Sequence, residues 1–245
     1  MRLYAGMSVA FVEDTVRNQI AQKLSDAFFQ YYGYPPAKSE VAAWGNSLRA
    51  MAQVVQFAKL DDHGVVVEYE LPSSSRRLDF MICGRDASSR DEAVIVELKQ
   101  WSECKAAEAE GLVSTWVGGQ NREVAHPSVQ VGQYQQYLAD THSAFYEGNN
   151  PIQVGACSYL HNYEIRPDDV SSQNSGHAAR SSARPSSAIF CSERLLSFAH
   201  SRASRPRSSR SSLSRTASWM ARLRFGNLFW ATKRSMRSSS SSSIV

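Results

Sequence analysis

Apolar positions recur along the first 165 residues with two different periods, and the change of period marks out the elements. Val16, Ile20, Leu24 and Phe28 return every fourth residue, which predicts one amphipathic helix over Val12 to Tyr32, ended by Gly33, Pro35 and Pro36. Ser39 is placed to cap a second helix, in which Val41, Trp44, Leu48, Met51 and Val55 alternate spacings of three and four. After a turn at Asp61 to Gly64 the period shortens to two. VVVEYEL, residues 65 to 71, reads as a strand closed by Pro72 and three serines. Arg77 to Gly84 and Ala93 to Leu98 read as two further strands, and the second is apolar almost throughout, as in a strand covered on both faces. Ser102 to Glu110, charged and rich in alanine, reads as a short helix or an insertion, and Gly118-Gly119 as a turn. His126-Pro127 opens a helix through HPSVQVGQYQQYLAD, with Pro127 at the first helical position and Val131, Tyr134 and Leu138 as its buried stripe. Pro151 leads into a last strand, Ile152 to Leu160. Helix, helix, three strands, helix, strand is the order of an α/β unit with a central mixed sheet flanked by helices.

Charges interrupt the two most apolar strands. Asp79 lies in the first, Glu97 and Lys99 at the end of the second. Side chains alternate along a strand, so Glu97 and Lys99 share a face, and if the strands are neighbours Asp79 sits beside them. Buried ionisable groups cost several kcal/mol unless they are paired or hold a metal. Two readings follow: a salt-bridge ladder at the strand ends, contributing well under ~1 kcal/mol, or a metal site. Glu40, in the first turn of the second helix, is either an acid favoured by the helix dipole or a further acid of that site. Gln130 and Tyr134, four apart, lie on one helical face, and Gln133 with Tyr137 repeats the spacing.

Charge divides the 245 residues unevenly. Ser171 to Val245 holds 24 serines, 12 arginines, one lysine and a single acid, Glu193, a net charge of +12. The whole chain carries +4, so residues 1 to 170 carry −8. The basic balance is thus a property of the C-terminal segment alone. That segment reads either as a disordered arm that binds phosphates or as an out-of-frame translation, since periodicity stops abruptly; WMARLRFGNLFW, Trp219 to Trp230, is its one apolar patch. The expected division is residues 1–168 as the folded domain and 169–245 as a tail that pairs with no sheet. Cys83, Cys104, Cys157 and Cys191 form no CxxC pair, which points to free thiols in a reducing compartment. The N-terminus lacks the pattern of a signal peptide and no run approaches ~18 apolar residues, so a cytoplasmic protein without a membrane partner is expected.

The pattern D-(17 residues)-E-L-K, formed by Asp79, Glu97 and Lys99, resembles the core of the PD-(D/E)XK nuclease superfamily, and the element order agrees. Q-x-x-x-Y at Gln130 and Tyr134 resembles the motif that follows this core in its RecB-like members. The blocks SEVAAWGNSL, RRLDFMICG, AVIVELKQW, VGGQNREVAHPSVQ and SYLHNY, within about residues 1 to 165, look like the N-terminal nuclease-like domain of bacterial Schlafen-group DNA/RNA helicase-like ATP-binding proteins. The resemblance implies a Mg²⁺- or Mn²⁺-dependent phosphodiesterase acting on DNA or RNA. Asp79 and Glu97, with the Leu98 carbonyl, would hold the metal, Lys99 would position the attacking water, and Gln130 and Glu40 would complete the catalytic set. Tyr134, His126, Arg76 and Arg77 fall to the nucleic-acid surface. No G-x-x-x-x-G-K-[ST] loop occurs, so the ATPase of that group is missing from this sequence. A non-catalytic nucleic-acid-binding module and a non-functional truncated product are the alternatives.

Overall fold

A computed structural model describes residues 1–85, 89–109 and 111–164, together with the backbone of residues 188–191. In chain order the elements are β1 (Arg2–Met7), α1 (Ser8–Val16), α2 (Ile20–Tyr32), α3 (Lys38–Phe57), β2 (Gly64–Glu70), β3 (Arg77–Arg85), β4 (Asp91–Lys99), β5 (Lys105–Ala106), β6 (Leu112–Val117), β7 (Gln120–Ala125), α4 (Pro127–Thr141), a 3-10 turn (Ser143–Phe145), β8 (Gln153–Leu160) and β9 (Ala188–Cys191). The main sheet runs β1-β2-β3-β4-β8-β9, and β5-β6-β7 form a second, small sheet. β1 to β4 make an antiparallel meander, and β8 joins β4 in parallel. A parallel neighbour requires a crossover, and here the crossover carries the small sheet and α4.

The apolar pattern decides which face each helix covers. Phe11 of α1, Leu24 and Phe28 of α2, and Trp44, Leu48, Met51 and Val55 of α3 form one core with Val65, Val67, Phe80, Ile82, Val94 and Val96. On the opposite face Val131, Tyr134 and Leu138 of α4 pack with Val66, Met81, Cys83, Ala93 and Ile95. β4 is buried from Asp91 to Glu97, as its apolar run predicts for a strand with helices on both sides. α4 begins as expected, with Pro127 in its first turn and His126 as its cap, Nδ1 accepting from the Ser128 N–H at 3.1 Å.

The structure differs from the sequence reading at five places. The single helix expected from Val12 to Tyr32 is two, α1 and α2, parted at Asn18 with φ 58°. Asparagine enters the left-handed region at little cost, and the turn there splits the expected stripe: Ile20, Leu24 and Phe28 are buried, whereas Val16 at the end of α1 is exposed. β1, which alternates weakly, forms because its backbone pairs with β2. α3 starts at Lys38 after Ala37, with no side-chain cap from Ser39. The segment from Ser102 gives neither a helix nor a bare insertion but leads into the small sheet. Gly118 and Gly119, with φ 64° and 83°, supply the two positive-φ residues that a tight hairpin between β6 and β7 needs. Finally, Ala188–Cys191 pairs antiparallel with β8, so the expectation that nothing beyond residue 168 joins the sheet is corrected. The remainder of the Ser/Arg-rich segment, its Trp219 to Trp230 patch and the out-of-frame reading lie outside the described residues. Cys83, Cys104 and Cys157 are buried, and no helix among the described residues is long and apolar enough to cross a membrane.

Candidate active site

The antiparallel register of β3 and β4 pairs Phe80 with Val96 and Met81 with Ile95. Extended by one residue, it sets Asp79 opposite Glu97, where side chains on neighbouring strands lie closest. The register of β2 and β3, Val67 with Phe80 and Tyr69 with Leu78, likewise sets Glu68 opposite Asp79. Glu68 has φ 51°, a left-handed conformation uncommon for a residue with a long side chain. Its effect shows in the core. Val66 and Met81 face α4, but so do Tyr69, Leu71 and Leu78, so the alternation changes parity at Glu68 and Asp79. Both strands change parity together while their register is kept, so the two acids leave the regular pleat side by side.

What these groups touch is specific. Asp79 Oδ2 accepts from the Leu98 N–H at 2.7 Å. Glu97 is 1 % exposed; its Oε1 accepts from Lys99 Nζ at 2.7 Å and from Gln130 Nε2 at 2.7 Å. Gln130 Nε2 also reaches the Tyr134 hydroxyl at 2.9 Å. Glu68 accepts from Trp44 Nε1 at 2.9 Å and faces Arg77 Nε at 3.4 Å, and Arg77 Nη2 bonds Glu40. His161 Nε2 lies 3.1 Å from Ser47 Oγ and Gln100 Nε2 donates to the Ala43 carbonyl at 3.5 Å, so two polar contacts fix α3 against the end of the sheet. A cavity of about 420 Å³ opens between α3, the strand ends and the small sheet. Glu40, Glu68, Asp79, Leu98 and Lys99 line it, with Trp44, Trp101 and Trp116.

Burial dominates the electrostatics. Burial first, and the neighbouring Asp79 charge second, push Glu97 up to about 7 against the pull of Lys99. The same two causes raise Glu68 to about 7, against Arg77 and the Trp44 N–H. Asp79 is raised by burial as well, although the Leu98 N–H, Lys99 and Arg77 oppose it. For Lys99 burial works downward, but Glu97 and Asp79 outweigh it and raise the ammonium above its ordinary value. Three raised carboxyls in one place mean that their full ionisation is costly without a further positive charge.

Whether a metal fits can be judged on Glu97. Its Oε2 is buried and accepts no hydrogen bond among the described residues, and a buried carboxylate oxygen left so is expensive unless a proton or a cation meets it. Asp79 opposite it and the Leu98 backbone offer only oxygen donors, the set that Mg²⁺ prefers. Among the described residues no three His, Cys, Asp or Glu side chains form a ready-made metal cage. Magnesium is ordinarily held by one or two carboxylates with water and phosphate oxygens completing its shell, so the pair fits.

The sequence-predicted residues separate accordingly. Asp79, Glu97, Lys99, Leu98 and Glu40 meet at the cavity or directly behind it, with Gln130 against Glu97. Tyr134 is 5 % exposed and supports Gln130 rather than offering a surface. Arg77 is a half-buried counter-ion of Glu40 and Glu68. His126 is buried as the cap of α4, and burial lowers its pKa. Arg76 is exposed and its Nη1 donates to Gln133 Oε1 at 3.1 Å. Glu68, Trp101 and Trp116 were not anticipated, and Trp44 only as a core residue of the second helix; an acid inside the apolar VVVEYEL run was the available signal for the first. Comparison with known proteins gives no identity: no family model, no curated protein and no solved structure matches this chain.

Proposed function

We propose that this protein is a Mg²⁺- or Mn²⁺-dependent phosphodiesterase acting on DNA or RNA, with a site of the PD-(D/E)XK kind. The observation that carries the reading is the buried Glu97, which faces Asp79 across two strands with one oxygen bonded to Lys99 and Gln130 and the other bonded to nothing. Asp79 and Glu97, with the Leu98 carbonyl, would hold the cation, which when bound polarises the scissile phosphate and lowers the pKa of water. The Leu98 N–H fixes the Asp79 carboxylate, and Gln130 fixes that of Glu97, so neither acid needs to reorganise. Lys99 Nζ stands at the cavity wall, where it orients the attacking water and offsets the negative charge that grows on the phosphate. Gln130, seated on Glu97 and Tyr134, is a positioning residue. Glu40 and Glu68 hold Arg77 beside the site and keep a positive charge near the carboxylates.

The test is cleavage of single- and double-stranded DNA and RNA by the full-length chain, in EDTA and with Mg²⁺ or Mn²⁺. Cleavage that needs the metal and falls on the order of 100-fold in Asp79→Asn and Glu97→Gln is the expected result. Metal-independent cleavage, or variants as active as wild type, would overturn it. Binding of nucleic acid without cleavage of any substrate would move the assignment to a non-catalytic module.

A further inference from the structure

The cavity has a second wall that the phosphodiester chemistry does not use. Trp116 stands on β6 and is 61 % exposed at the rim of the cavity that Asp79 and Lys99 also line, and the partly buried Trp101 lines the same cavity. A large ring left in water has a costly exposed face, and tryptophan is the residue that most often repays such exposure by binding. We propose that Trp101 and Trp116 form a stacking subsite for one unpaired base of a single-stranded nucleic acid, which places the adjoining phosphate at Asp79 and Lys99; this rests on the phosphodiesterase reading above.

Four observations converge on it. The platform is rigid: β6 and β7 close through Gly118 and Gly119, Trp116 pairs with Asn121, and the Thr115 hydroxyl donates to the Glu103 carbonyl at 2.6 Å. The small sheet is anchored on the main body by Cys104, Val113, Leu160 and Tyr163, so Trp116 is held at a fixed place relative to the strand ends. The cavity, about 420 Å³, is of the size that encloses one small ligand group. In a duplex both faces of each base are already stacked, so only an unpaired or extruded base can enter. Charge separates the two parts of the ligand. Of the charged side chains that line the cavity, Lys99 is the cation a phosphate would seek and Glu40, Glu68 and Asp79 repel it, whereas a neutral base stacks on an aromatic ring without penalty. A cationic peptide is the competing occupant of an acidic, aromatic cavity, but Lys99 Nζ already lies 5.8 Å from the centre of the Trp101 ring, so the chain supplies that cation itself.

Stacking is read with oligonucleotides that carry 2-aminopurine, whose fluorescence falls when the base stacks on an aromatic ring. The full-length protein is used with Ca²⁺ and, separately, with EDTA, at about 0.3 M NaCl so that phosphate binding by the basic C-terminal segment is suppressed. Expected is quenching of a single-stranded probe, little quenching of the same probe in a duplex, and a Kd on the order of tenfold weaker in Trp116→Ala with Trp116→Phe largely restored. Phe57→Ala, an exposed ring at the other end of α3 from Glu40, should leave the signal intact. Thermal melts confirm that each variant is folded. No quenching by wild type, equal quenching of duplex and single strand, equal binding by Trp116→Ala, or a Trp116-dependent preference for oligolysine would each overturn the subsite. Quenching that depends on Trp116 without cleavage of any substrate in Mg²⁺ would keep the subsite and overturn the phosphodiesterase reading. Cleavage indifferent to Trp116→Ala would do the reverse.

Discussion

Replacing Glu97 with glutamine should lower cleavage on the order of 100-fold and at the same time make the metal-free protein more stable at neutral pH. The two effects share one cause. The Glu97 carboxyl, ordinarily at 4.5, is raised to about 7, first by burial and then by Asp79. A displacement of that size corresponds to ~3 kcal/mol of penalty for ionising the folded protein. Asp79 shares part of the repulsion, so ~2 kcal/mol is the figure to expect for Glu97 alone. Because the folded value lies above the unfolded one, the stabilising contribution is complete below about 4.5 and is lost as pH rises through about 7. Glutamine keeps the oxygen that accepts from Lys99 and Gln130 and never ionises. The gap between variant and wild type should therefore be small near pH 4.5 and widen to ~2 kcal/mol by pH 8, or about 4–8 °C in Tm for a chain of this size. The assay is thermal unfolding of the full-length protein across that range, with and without Mg²⁺. Magnesium should raise the wild-type Tm and leave the variant unmoved, since only a native state with an intact site binds it. A variant that is less stable at pH 8, or a gap independent of pH, would mean that Lys99 already compensates Glu97 in full, and the argument for a bound cation would lose its basis.

Three other changes probe separate parts of the structure. Lys99→Ala should lower the metal-dependent rate on the order of 100-fold with little change in substrate binding, measured by single-turnover cleavage. Leu138→Ala, in the fully buried stripe that seats α4 on the sheet, should cost about 2–5 kcal/mol in denaturant unfolding. Gly84→Ala should cost about 1–3 kcal/mol, because the new methyl would come within 2.3 Å of the His63 ring, which must shift to admit it.

How far the sequence carries depends on whether a property is written in spacing or in backbone conformation. The apolar run of β4 and the stripes of α3 and α4 follow directly from periodicity, and so does the meeting of Asp79, Glu97 and Lys99 once β3 and β4 are neighbours. Gln130 reaches Glu97 because α4 packs on the face of β4 that Glu97 shares with Ile95. Glu68 was not legible, since strict alternation along β2 does not carry it to Asp79's cavity. Its positive φ shifts the parity, and no propensity of glutamate announces that. Asn18 was missed for a related reason: one left-handed residue parts two helices and turns Val16 outward, while Ile20, Leu24 and Phe28 keep the period that suggested one helix. Trp116 was missed with its strand, because Leu112 to Val117 keeps no strict alternation and only the paired glycines after it hinted at a hairpin. Arg77 read as a surface cation because its partners, Glu40 on α3 and Glu68 on β2, are distant in sequence.

Charge gives the site its internal logic. Glu40, Glu68, Asp79 and Glu97 are opposed by Arg77 and Lys99, which leaves two formal negative charges at a half-buried cavity. Arg77 lies between Glu40 and Glu68, and Lys99 bonds Glu97, so among the described residues Asp79 is the acid of this group without an ion-pair partner of its own; what steadies it is the Leu98 N–H. A structural network would be expected to balance its charges, because each unopposed buried carboxylate destabilises the fold. Here the imbalance falls where β2 and β3 change parity, beside the Glu97 oxygen that accepts no hydrogen bond among the described residues, and one divalent cation would offset it, as the proposed metal site requires. A protein can keep such a destabilising arrangement where a ligand offsets it. That is why the stability of Glu97→Gln, rather than its activity alone, discriminates between a metal site and a salt-bridge ladder: a ladder weakens when one of its acids is neutralised, whereas an empty cation site relaxes.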